Sequence, residues 1–301
     1  MRVKVWGARG SVPAPGPEMN RYGGNTSCVE VTLASGETLI LDAGTGIRTL
    51  GFSLTPEMPR INILLTHLHL DHIQGLMFFP PCFRAESTIR IWGPSSPEAT
   101  LEARIARYIS APLSPVEVRE LPCDVSFLDA PASEWEIGGA TIRAEAVTHR
   151  GPTLGYRITD RDGTTLCYIP DHEPALGSPL ENLDPEWISG YNLAREADLL
   201  IHDCQYTDEE YPGHEGWGHS QVGDTVTFAR RVEARRMLLF HHDPLHTDGF
   251  LDDLHANARE RWSELGGEAD EIAMAAERSE LAVESSGTHE PAAERSSELA
   301  V

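Results

Sequence analysis

Residues 61–66, INILLT, are continuously apolar, and the segment Thr66-His-Leu-His-Leu-Asp-His72 follows at once. Such a run reads as a strand buried on both faces. Alternate residues at a strand end point the same way, so His67 and His69 can converge on one ion. The chain then turns, and Asp71 and His72 can face a second. Imidazole and carboxylate suit zinc and its neighbours. Polar groups at the mouth of a buried strand need partners or solvent, so the cluster predicts a metal site. It also predicts further ligands at later strand ends. His149 follows TIRAEAVT, Asp171 follows TLCYIP and His241 follows RRMLLF, each where a buried strand gives way to a loop.

The rest of the chain supplies the strands. MRVKVWG starts as one, with Val3 and Val5 on one face. Residues 29–33 and 38–41 flank Ser35-Gly36 as a hairpin. Further strands are expected at 88–92, 141–147, 154–159, 164–169, 198–202 and 236–240. Helices are expected at 97–109, 221–232 and 251–265. Strands cluster in each half and a helix closes each half, which predicts an α/β chain of two packed sheets with helices outside.

A single domain is expected over 1–267. The segment 268–301 carries nine acidic and two basic residues and a near-duplication, AAERSELAV then AAERSSELAV. It reads as an acidic, disordered tail.

The formal net charge is −23, with 24 Lys+Arg against 47 Asp+Glu. That balance disfavours gripping long nucleic acid or an anionic membrane, both of which need clustered cations. No apolar run reaches membrane-spanning length, and the start has no apolar signal-peptide core. The five cysteines are scattered and form no CxxC. That argues against a disulfide framework or a cysteine zinc knuckle, and predicts a cytoplasmic protein.

HLHLDH resembles the HxHxDH signature of the metallo-β-lactamase superfamily, and the resemblance extends over residues 1 to about 265. It implies a four-layer αββα sandwich with its site at one edge of the two sheets. By that resemblance His67, His69 and His149 bind one divalent metal, zinc by default with manganese or iron as alternatives. Asp71, His72 and His241 bind another, and Asp171 bridges the two. Asp71 would serve catalysis as well as ligation. Asp42, in LDAGTG, resembles the family's supporting aspartate, which holds the metal loop by hydrogen bonds. Two ions sharing a water supply a bridging hydroxide nucleophile at neutral pH. No GxSxG or P-loop pattern offers another route.

Two later segments narrow the branch. His202-Asp-Cys-Gln205 and Gly218-His-Ser220 resemble the paired segments of the phosphodiesterase branch that includes ribonuclease Z and the phosphonate-operon cyclic phosphodiesterase. Asp203 stands where that branch carries glutamate, and His219 stands in the GHS position. The resemblance implies that Asp203 orients His219, which protonates the leaving oxygen. The same branch implies a homodimer. Ribonuclease Z carries a long tRNA-gripping arm, generally between the ligands matching His149 and Asp171. Only residues 150–170 lie between them here. The expected substrate is therefore a small or cyclic phosphodiester. The N-terminal loop resembles one that borders the site in small members of this branch, and Arg9, Arg21 and Asn25, with Ser220, are expected substrate contacts. The alternatives are a lactonase or other ester hydrolase of the same fold, with Tyr206 or Tyr156 polarising the carbonyl, and a non-catalytic metal-bound sensor.

Overall fold

The computed structural model describes residues 1–55 and 60–285. The first half of the chain lays down β1 (Arg2–Gly7), β2 (Cys28–Thr32), β3 (Thr38–Leu41), β4 (Arg60–Leu64), β5 (Thr88–Gly93) and β6 (Asp124–Asp129) in sequence order across one sheet. The second half lays down β7 (Trp135–Ile137), β8 (Ala140–Ala146), β9 (Leu154–Thr159), β10 (Thr165–Ile169), β11 (Leu199–Asp203), β12 (Met237–Phe240) and β13 (Ile272–Met274) across the other. A last strand, β14 (Glu280–Ala282), returns to the first sheet and pairs antiparallel with β1. The strand pairs from β3 to β6 and from β10 to β13 are parallel.

Side-chain alternation explains the layers. In β3, Leu39 and Leu41 point between the sheets while Ile40 faces outward. In β12, Leu238 and Phe240 point between the sheets while Met237 and Leu239 face outward. Both strands are buried on two faces, as continuous apolar runs require. The helices cover those outer faces. α1 (Gly46–Ser53) and α3 (Leu101–Ala106) pack on the first sheet through Ile47, Leu50, Leu101 and Ile105, and α2 (Leu70–Ile73) follows the metal-type segment. α4 (Tyr191–Ala194), α5 (Val222–Arg231) and α6 (Asp248–Glu264) pack on the second through Leu193, Val226, Phe228, Leu251 and Trp262. The result is the expected αββα sandwich. Among the described residues no helix is long and apolar enough to cross a membrane.

Two expectations about the chain are corrected. Packing does not end at 267: Ile272, Met274, Ala275 and Val283 are buried, and β13 and β14 complete an edge of each sheet. The first repeat copy, 275–283, carries β14. The second copy lies outside the described residues. The helix expected over 97–109 is shorter, because Thr100 caps Leu101–Ala106 by accepting the Ala103 N–H.

Candidate active site

The carboxyl ends of β4, β10, β11 and β12 lie at one edge of the sandwich, the usual place for ligands in sheets with parallel strands. His67 follows β4, Asp171 follows β10, and His241 follows β12. His149 arrives from the end of β8 across the second sheet. The structure brings these side chains into two sets. The ligand atoms of His67, His69, His149 and Asp171 all lie within 4.8 Å of one another, and so do those of Asp71, His72, Asp171 and His241. Asp171 belongs to both. His67 Nε2 and His149 Nε2 lie 3.7 and 3.6 Å from its Oδ2, and His72 Nε2 lies 3.0 Å from its Oδ1. His241 Nε2 is 3.2 Å from both Asp71 Oδ2 and Asp171 Oδ2.

Outer partners aim the rings inward. The Nδ1 atom of His72 meets Asp42 Oδ2 at 2.8 Å, that of His241 meets Gln205 Oε1 at 2.9 Å, and that of His149 meets the Gly218 carbonyl at 2.6 Å. Each contact leaves Nε2 facing the cluster, the arrangement that orients metal-binding imidazoles. Asp42 also accepts from the Thr66 N–H and hydroxyl and from Tyr168 Oη. It therefore ties β3 to the loop that carries His67. Asp42 and His241 both hold left-handed backbone, φ 59° each, immediately after a strand. That conformation is uncommon for either residue, and such strain concentrates at functional sites. Gly10 must be glycine here, because a Cβ would come within 2.4 Å of the His241 ring.

The electrostatics fit cations. Burial pushes His67, His69 and His149 down, so all three are held as neutral imidazoles with a free lone pair. Burial opposes charge on Asp71 and Asp171, yet His72 and His241 hold both carboxyls well below their ordinary range. Against the same burial penalty, Asp171 and Asp71 raise His72 well above its usual value and His241 to about 9. Protons on these two rings stand where divalent cations would balance the carboxylates. His67 Nε2, His72 Nε2 and Asp171 Oδ1 are buried without a hydrogen-bond partner of good geometry. Native interiors rarely leave such atoms unpaired. The donor set and its orphaned atoms fit divalent metals.

Beside this cluster, His219 Nδ1 lies 2.7 Å from Asp203 Oδ2. Asp203 is buried at the end of β11 and also accepts the N–H groups of His172, Gln205 and Ser220. Its orientation is therefore fixed before His219 is considered. The His219 ring stacks on His241 at 4.8 Å between centroids and lies 4.9 Å from His149.

The expected substrate contacts fare differently. Arg9 is fully buried, and its guanidinium donates to the carbonyls of Gly23, Asp243 and His246. It staples the N-terminal loop to the loop after β12 and is not an anion contact. Ser220 is also buried, with its hydroxyl donating to His172 O at 2.5 Å, so it supports the Asp203 region instead of facing substrate. Arg21 makes a two-pronged ion pair with Asp252 on α6. Asn25 is held by Glu277. Tyr156, an alternative carbonyl-polarising group, is buried and donates to Leu65 O.

Sequence reasoning missed three positioning residues. Glu173 is buried and accepts from Tyr211 Oη and from the N–H groups of Gly216 and Gly218. It clamps the loop that delivers both His219 and the carbonyl beneath His149. Gly218 itself has φ 92°, and a Cβ there would meet His149 Nδ1 at 2.5 Å. Gln205 orients His241. Only the placement of Glu173 two residues after Asp171, and of Gln205 within HDCQ, hinted at these roles.

The chain is similar to known proteins. The ribonuclease Z of Kineococcus radiotolerans is 24% identical over 265 residues, covering 77% of this chain and 82% of that one. The metallo-β-lactamase fold protein YhfI from Bacillus subtilis superposes with a TM-score of 0.67 at 19% identity, over 93% of this chain and 98% of the other. A diphosphatase from the PhnP family superposes with a TM-score of 0.66 at 17% identity, over 94% and 98%. A family model described as a beta-lactamase superfamily domain matches residues 37–242, which include all seven ligand-type residues and Asp42, Asp203 and His219. The chain therefore belongs to the β-lactamase superfamily, as a hydrolase of the metallo-β-lactamase fold related to ribonuclease Z.

Proposed function

We propose that the protein is a phosphodiesterase that uses two divalent ions, zinc by default, and acts on a small or cyclic phosphodiester. The observation that carries this reading is the Asp203–His219 pair set against two ligand sets that share Asp171. Ions held by His67, His69, His149 and Asp171, and by Asp71, His72, His241 and Asp171, would activate water and draw negative charge from the phosphoryl oxygens. The remaining work falls to the chain. With Nδ1 held by Asp203, Nε2 is the His219 nitrogen left for substrate. The carboxylate fixes the ring through Nδ1 and turns Nε2 toward the departing oxygen, where a general acid is placed to act. A cleaved phosphodiester releases an alkoxide, which needs a proton.

Related proteins named for ribonuclease and diphosphatase activity support hydrolysis at phosphorus. The small-substrate reading rests on two further facts. Residues between His149 and Asp171 are occupied by β9 and β10 and a short turn, with no inserted arm. The net charge of −23 opposes polyanion binding.

The test compares metal-loaded protein on bis(p-nitrophenyl) phosphate, a 2′,3′-cyclic nucleotide, a lactone and pre-tRNA. The phosphodiesters should turn over and the lactone should not. Preferential lactone hydrolysis would establish an ester hydrolase instead. Efficient tRNA cleavage with steep salt dependence would overturn the small-substrate reading. Bound metal without turnover of any substrate would indicate a sensor.

A further inference from the structure

A cavity of about 640 Å³ opens against the site, with His67 and His69 in its wall. That volume falls within the range of small-ligand sites. Its lining has an unusual charge for this chain. Arg104, Arg107 and Arg150 contribute to it, against a single carboxylate, Glu98. In a protein with twice as many acids as bases, three arginines beside one acid make a local reversal of sign.

The arginines are not all committed elsewhere. Arg150 spends Nε on the Gly216 carbonyl, which leaves its two terminal nitrogens. Arg104 donates through Nη2 to Pro94 O and lies 4.0 Å from Asp129 Oδ1, yet its Nε is buried without an acceptor. Arg107 is exposed just past α3, and among the described residues it has no carboxylate partner. An unpaired buried donor is costly, and an acceptor entering the cavity would relieve it. The other wall is apolar. Leu68, Ile73 and Tyr108 line it, and Leu70 and Leu113 stand at 57% and 66% exposure on its rim.

We propose that this cavity holds the part of the substrate retained beyond the scissile bond, and that this part carries a second phosphoryl group on a flat, apolar body. The substrate class is then a nucleotide-like phosphodiester with an additional phosphate. The arginines bind that phosphate, and the leucines and Tyr108 cover the base or ring. This inference rests on the phosphodiesterase reading and deepens it. It explains how an acidic protein attracts a polyanionic small molecule. Planar guanidinium groups suit phosphate oxygens, and fixed positive charge beside low-dielectric walls concentrates anions.

A matched pair of chromogenic substrates tests it: thymidine 5′-(p-nitrophenyl phosphate) with and without a 3′-phosphate. Binding of thymidine 3′,5′-bisphosphate and of thymidine 5′-monophosphate to the same metal-loaded protein is followed by calorimetry. The 3′-phosphate should raise kcat/KM about tenfold, chiefly through KM, and the bisphosphate should bind tighter by a similar factor. Arg107→Ala should reduce both preferences, Arg107→Lys should keep more of each, and the double variant Arg107→Ala/Arg150→Ala should erase them. Equal handling of both members of each pair by the natural protein would overturn the proposal. So would a preference undiminished in the double variant, since the phosphate would then be read elsewhere. If neither substrate is cleaved but the bisphosphate preference depends on Arg107, the subsite stands and the phosphodiesterase reading falls.

Discussion

His219 Nδ1 and Asp203 Oδ2 meet at 2.7 Å, and the carboxylate that holds the imidazole is itself held by three backbone N–H groups. Aspartate, one methylene shorter than glutamate, reaches the ring here. It does so because it ends β11 and points directly at the loop that follows Gly218.

In the proposed reaction His219 is the proton donor. His219→Ala should lower kcat by about 10²–10⁴-fold, the usual worth of general acid catalysis. Bound metal should not change. The loss should shrink for p-nitrophenolate, which departs without a proton. Asp203→Asn should reproduce the effect more weakly by leaving the ring misoriented. Steady-state kinetics on good and poor leaving groups checks this, and equal losses on both would mean that His219 positions phosphate instead.

Glu173 should matter more than its distance from the reacting atoms suggests. Glu173→Ala strands the Tyr211 hydroxyl and the Gly216 and Gly218 N–H groups. Destabilisation on the order of 3 kcal/mol is expected from such unpaired groups. Because Gly218 also supports His149, the variant should lose kcat together with metal affinity. Glu173→Gln, which keeps an acceptor, should recover part of both. Denaturant titration and metal analysis on the two variants separate a positioning role from simple loss of stability.

Acid should weaken the fold through a buried pair beside the site. Burial pushes His202 down to about 4, and its Nε2 lies 2.8 Å from His172 Nδ1. An unfolded histidine titrates near ~6.5. Between those values the unfolded chain binds a proton that the folded chain refuses, so stability rises with pH across that window. Lowering the pH from 7 to 4 should therefore cost on the order of 3 kcal/mol from this group. His202→Asn should flatten that part of the profile. Urea midpoints measured across the range give the difference directly, and identical slopes for the two proteins would exclude His202 as the origin.

How much of this was legible in the sequence depended on the range of the interactions. Most of the candidate ligand set was readable because β4, β10 and β12 are buried on both faces and announce themselves as apolar runs, whereas His149 follows the mixed, half-buried strand β8 and was legible only by its place at a strand end. The edge strands β13 and β14 were not, because three residues each, two of them buried in β13 and none in β14, leave no periodicity in an acidic segment. Arg9 was misread for a different reason. An arginine in a glycine-rich loop resembles an anion contact, and nothing local shows that its acceptors are the carbonyls of Asp243 and His246. Glu173 was missed in the same way, since the N–H groups it holds lie more than forty residues away.

The central claim is that Asp171 joins two cation sites into one catalytic centre. The most direct test strips the protein with chelator, titrates zinc or manganese back, and follows bound metal and bis(p-nitrophenyl) phosphate hydrolysis together. Activity should vanish on stripping and return as about two ions bind per chain, while Asp171→Ala should retain less metal and little activity. Full hydrolysis by the stripped protein, or no metal uptake by the natural one, would contradict the account.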